Sequence, residues 1–148
     1  MPPLLKHWLF FVTSVLLLIS PSAQAFTWFE LNEASSSGGV NVEVNLESLR
    51  SRGDRQEMLT RISYEQPRQK QDVSFQSVIA ELEVFCDSGL AFWKTANFFS
   101  DRLAEGNLLS SENFGPAGLP SGLLNLLPEK VWFTLQRSAC GRAETTSP

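Results

Sequence analysis

Two thiols, one imidazole and sixteen carboxylates are the groups in this 148-residue chain with nucleophilic, acid–base or metal-binding chemistry to offer. The imidazole is His7, inside a stretch read below as a signal peptide. Once that stretch is removed no histidine remains, and serine–histidine and cysteine–histidine catalysis go with it. The thiols are Cys86 and Cys140. Bonded to each other, they no longer serve zinc. No glycine-rich loop has phosphate-binding spacing. Two carboxylates could hydrolyse a glycoside, yet nothing singles out a pair. Glu81 and Glu83 share one face of a strand-like run and are expected on a solvated sheet face. Tyr64, Trp93 and the Phe98-Phe99 pair could line a binding surface, but strands recruit aromatics for packing, so they read as core. Arg52-Gly53-Asp54 is the tripeptide that integrins recognise; standing alone, it reads as a turn after a strand. The expectation is a protein that is not an enzyme and uses no cofactor or metal.

The compartment follows from the first residues. Met1 to Lys6 carries positive charge, Trp8 to Ile19 is almost wholly apolar, and Ala23-Gln24-Ala25 supplies small residues after Pro21. That layout is a secretory signal peptide cut between Ala25 and Phe26. A spanning helix needs about 20 apolar residues, and this run is shorter. The expected organisation is a signal peptide over 1–25, one domain over 26–141 and a flexible tail over 142–148. No cysteine follows the cleavage point closely and no later stretch could span a membrane, so the product is expected in the periplasm, at the cell surface or secreted. There a Cys86–Cys140 disulfide is expected. It would close a loop of 54 residues, worth about 4 kcal/mol in the chain-entropy model. Losing Lys6 takes the net charge from −4 to −5. An acidic chain without a basic cluster argues against nucleic acid and against anionic membrane surfaces.

The elements that must position the two thiols come next. Phe26 to Leu31 reads as a first strand with the Trp28 side buried. Val40 to Glu47 alternates without a fault, with Val40, Val42, Val44 and Leu46 on a dry face and Asn41, Glu43, Asn45 and Glu47 on a wet one. Met58 to Tyr64 reads as a third strand and Glu65 to Ser74, with Pro67, as a loop. Val78 to Cys86 is the clearest strand; Val78, Ala80, Leu82, Val84 and Cys86 share its apolar side. After the Asp87-Ser88-Gly89 turn, Leu90 to Ser100 returns, with either Ala91 or Leu90 opposite Cys86. Asn107 to Asn113 reads as a sixth, edge strand and Phe114 to Gly122 as a loop. Pro128 opens a helix that Gly141 stops. Trp132, Leu135 and Ala139 form its stripe, with Cys140 on the flank. The fold class is α+β: one antiparallel sheet of about six strands with a C-terminal helix on one face, tied by the disulfide.

Several stretches resemble the surface-adhesin protein E family of Gram-negative bacteria. They are Trp28, the run Val44 to Arg50, Ile62-Ser63-Tyr64, Val84-Phe85-Cys86, Thr95 to Asp101 with Gly106, and Cys140. The resemblance spans roughly residues 27 to 141. It implies a six-stranded antiparallel sheet with the helix tethered to its concave face, and dimer formation. It also implies protein partners, since family members bind host proteins such as vitronectin, laminin and plasminogen. No binding residue carries over. Two functions stay open: a protein-binding module, and a periplasmic module holding an apolar ligand between sheet and helix.

Overall fold

The computed structural model describes residues 27–31 and 39–141. The expected signal peptide, the Ala25/Phe26 cleavage point and the tail over 142–148 fall outside that range. Among the described residues, eight strands form one antiparallel sheet: β1 (Trp28–Glu30), β2 (Val40–Asn45), β3 (Arg50–Arg52), β4 (Arg55–Lys70), β5 (Val73–Phe85), β6 (Leu90–Phe99), β7 (Leu108–Asn113) and β8 (Leu119–Pro120). The main order is β1-β2-β4-β5-β6-β7, with β3 beside β4 and β8 beside β6. Short helix α1 (Ser121–Leu124) leads to α2 (Glu129–Cys140). Most pairings close through local connections; β3 stands aside from the β2–β4 pairing, and β8 returns past β7 to pair with β6.

The core lies on one face. Val42, Ile62, Val78, Ala80, Leu82, Val84 and Ala96 have no exposed surface, and Trp93 and Phe98 have almost none. They line up across strands: Val42 opposite Ile62, Ile62 opposite Val78, and Ala80 opposite Ala96. A register shift after Glu81 puts Leu82 opposite Trp93. The bulge turns both side chains inward and adds twist. α2 covers this face through Val131, Leu135 and Ala139. That is an i, i+4, i+8 stripe. Trp132, expected in the stripe, is half-buried at its flank, where its ring meets Trp93 at 6.2 Å. The sheet face already holds Trp93, Tyr64 and Phe98, so the smaller Val131 and Ala139 let the helix approach closely.

The third strand is much longer than expected. Arg68 pairs with Phe75, Gln69 with Ser74 and Lys70 with Val73, so the stretch read as a loop is the arm of a long hairpin. A register shift between Ser63 and Arg68 accommodates Pro67. Phe75 anchors the arm, edge-on to Tyr64 at 5.8 Å and to Phe98 at 5.0 Å. Its polar composition hid the strand, because backbone pairing needs no apolar side chain where both faces see water.

The wet face of β2 is not wet. Glu43 is 9 % exposed and Asn45 wholly buried. Arg61 grips Glu43 through Nε (2.6 Å) and Nη2 (2.7 Å), and its guanidinium lies 4.6 Å from the centre of the Trp28 ring. Trp28 therefore packs on the outer face, and Phe29, opposite Val44, shares the core side. Asn45 accepts from the backbone N–H groups of Glu47 (2.9 Å) and Ser48 (3.2 Å), capping a 3-10 turn over Leu46–Ser48. That cap ends β2 before Leu46. The stretch 114–122 is more than a loop, since β8 pairs Leu119 with Trp93 and Pro120 with Phe92.

Candidate functional site

The disulfide is where the sequence placed it, between the end of β5 and the last turn of α2. Cys86 itself lies outside the strand. β5 ends with Phe85 opposite Leu90, so neither Ala91 nor Leu90 faces Cys86. Its backbone N–H instead donates to the carbonyl of Asp54 at 2.9 Å. One covalent bond and one hydrogen bond thus gather the end of α2, the β5–β6 connection and the β3–β4 hairpin at one corner.

That hairpin carries Arg52-Gly53-Asp54. Arg52 pairs with Arg55, leaving Gly53 and Asp54 as a two-residue turn. Gly53 has φ +64°, a conformation glycine adopts without strain. All residues from Arg50 to Arg55 are exposed.

Beside the same helix end, an open apolar cleft of about 260 Å³ separates α2 from β1, β2 and β4. Phe29, Leu46, Leu49, Met58 and Leu135 contribute apolar walls and Ser138 a hydroxyl. Apart from Leu49, which falls in a polar connection, these positions read as strand or helix residues one by one. No local pattern signals the room left where α2 stands away from the first strands. At the opposite edge, β7 pairs only with β6 among the described residues, and its Leu108 and Leu109 are exposed.

The outer face differs from the solvated face expected for Glu81 and Glu83. Glu83 is buried, held by Arg55 at 3.2 Å and Lys94 at 3.5 Å, while Phe85 and Phe92 meet edge-on at 5.8 Å. Glu83 is thereby locked in ion pairs, and Glu81 is half-buried. Of the aromatic candidates, Tyr64, Trp93 and Phe98 are core as expected, and Phe99 is half-buried. The Tyr64 hydroxyl donates to the Leu126 carbonyl at 2.7 Å. Burial pushes its pKa well above the ordinary 10.0, against a smaller lowering by Arg68. No group of three histidine, cysteine, aspartate or glutamate side chains among the described residues could hold a metal ion. No helix among them is long and apolar enough to cross a membrane.

Residues 28–121 match the family described as surface-adhesin protein E. The chain belongs to that family. No curated protein and no solved structure gives a significant match. The matched span holds all eight strands and Cys86 but stops before α2 and Cys140. Membership in a surface-adhesin family, together with the disulfide, indicates an exported protein of adhesin type.

Proposed function

We propose that the chain is an exported, non-enzymatic protein-binding module that works as a surface adhesin toward extracellular proteins. In this reading the signal peptide is cut between Ala25 and Phe26, residues 26–141 form the working domain, and residues 142–148 are a flexible tail. The observation that carries it is an exposed strand edge on the sheet of a surface-adhesin family member. Among the described residues β7 presents one unpaired edge, with Leu108 and Leu109 exposed, the arrangement that accepts an added strand. Its partner is an extracellular protein or a second copy of the chain, and the compartment is the cell surface or the periplasm. The missing imidazole after signal removal supports the non-enzymatic reading.

The test joins fractionation of a tagged protein to protease shaving of intact cells and solid-phase binding of the purified domain to extracellular matrix. Surface-accessible tag and saturable binding are expected, with binding weakened by Leu109→Lys, since a charged edge strand resists added pairing. A tag confined to the cytoplasm, or no binding by correctly folded protein, would overturn the proposal. The apolar cleft supports a second reading, a periplasmic module holding an apolar ligand between sheet and helix. Titration with a fluorescent fatty-acid probe decides it: binding blocked by Ser138→Trp is expected on this reading, and no probe uptake sinks it.

A further inference from the structure

We infer that the Arg52-Gly53-Asp54 apex docks onto a receptor of the integrin class. Such a receptor presents a divalent cation with a free coordination position beside an acidic cleft. The inference rests on the adhesin reading and names a partner class for it.

The first support is position. The tripeptide sits at the apex of the β3–β4 hairpin rather than within an irregular loop. Gly53 has φ +64° and Asp54 lies outside the left-handed region, the type II′ pattern whose twist suits the flanking strands. A Cβ built on Gly53 would meet nothing within 4 Å, so a partner can approach the apex backbone directly.

The second is chemistry that the turn does not require. A type II′ turn asks for glycine at its first position and little of its second. Aspartate in turns usually hydrogen-bonds to nearby backbone. The Asp54 carboxylate makes no hydrogen bond or ion pair among the described residues, so its oxygens are free to complete the coordination sphere of a hard divalent cation. The Arg52 side chain is 69 % exposed, and its contact with Glu57 is long, at 3.6 Å. An exposed pair of that kind is weak. A receptor carboxylate can replace it with the planar, two-pronged hydrogen bonding that suits guanidinium. Arg50, whose Nη1 donates only to backbone carbonyls, adds a second cation beside the apex that suits an acidic cleft, while Arg55 is engaged by Glu83.

The third is rigidity. Arg50 pairs with Glu57, the Ser51 hydroxyl donates to Gln56 at 2.8 Å, and the Asp54 carbonyl is held by Cys86, itself bonded to Cys140. An apex already fixed loses little freedom on binding.

The experiment immobilises the purified mature protein and adds purified ectodomains of integrins that recognise the tripeptide, in manganese or in EDTA. Expected are saturable binding in manganese, its loss in EDTA, competition by a short linear Arg-Gly-Asp peptide, and weakening of about tenfold or more by Asp54→Glu. That substitution keeps the charge and moves the carboxylate by one methylene. Arg52→Ala is a second variant with the same expected direction. Both residues are exposed, and an unchanged thermal midpoint confirms the fold. Undiminished binding by Asp54→Glu, binding that persists in EDTA, or no binding at all overturns the inference. Attachment of whole cells to coated protein separates the two readings. Attachment that survives both EDTA and Asp54→Glu leaves the adhesin reading standing and sinks this one. Absence of attachment in every condition counts against both.

Discussion

Replacing both Cys86 and Cys140 with alanine should loosen the helix before the sheet. The bond closes a loop of 54 residues. Its removal restores loop freedom to the unfolded chain, worth about 4 kcal/mol in the chain-entropy model. α2 has 12 residues, a length at which a helix is marginal in water on its own. It stays in place through Val131, Leu135 and Ala139, the flanking Trp132, and the bond at its last turn. The sheet holds itself through local hairpins and an unbroken β4–β5 ladder from Arg55 to Ser63. Guanidinium unfolding of the double variant should therefore show a loss of about 2–5 kcal/mol. Hydrogen exchange should accelerate most in Glu129–Cys140, by up to about a thousandfold if the full 4 kcal/mol acts on helix opening. Val78–Val84 should keep more of its protection. Removing both thiols together leaves no free cysteine to form intermolecular bonds. Equal acceleration in α2 and β5 would show that the helix unfolds only with the core, and unchanged exchange in both would refute the reasoning altogether.

Tyr64 is the only tyrosine, so absorbance at 295 nm reads it alone. Its folded pKa is raised above the unfolded value of 10.0. The stability it contributes is therefore complete below pH 10 and falls as pH rises past 10, where the unfolded chain releases the proton and the folded one keeps it. Phenolate absorbance should stay absent in the folded protein well past pH 10 and appear together with unfolding; an ordinary titration in folded protein would contradict the burial. Leu135→Ala, at a fully buried position, should cost about 2–5 kcal/mol by chemical denaturation, whereas Phe133→Ala, on the exposed side of α2, should stay within about 0.5 kcal/mol. Arg61→Met should cost about 1–3 kcal/mol, because it leaves the buried Glu43 carboxylate without its partner. Adding Glu43→Gln should recover part of that loss, and strict additivity in the double variant would show that the two do not act as a pair.

Much of the fold was legible in the sequence because its strands are amphipathic and its connections local. The alternation in Val40 to Val44 and Val78 to Val84 named the buried side of two strands, and Pro128 and Gly141 bracketed the helix. Two cysteines in an exported chain were enough to expect their bond. What failed was whatever depends on a neighbour brought from elsewhere. Glu43 looked solvated because nothing local shows that Arg61 and Trp28 will cover it; Asn45 is the exception, since its cap on Glu47 and Ser48 is local and was hidden by the regular alternation. The arm from Glu65 to Lys70 looked like a loop because its strand character comes from pairing with β5. Leu135 and Ala139 of the helix stripe stood as expected, and only its first position differed: sequence spacing allows either Val131 or Trp132 to face in, and the bulk of Trp93 and Tyr64 beneath the helix chooses the smaller one. The same division holds for the candidate sites. Arg52-Gly53-Asp54 can be read from three letters, but its place at an open, braced hairpin apex, and the cleft beside α2, exist only once hairpin, strand end and helix end meet at the Cys86–Cys140 corner. Spacing along the chain carries periodicity and turn chemistry; it does not carry the volumes and partners that packing creates between segments distant in sequence.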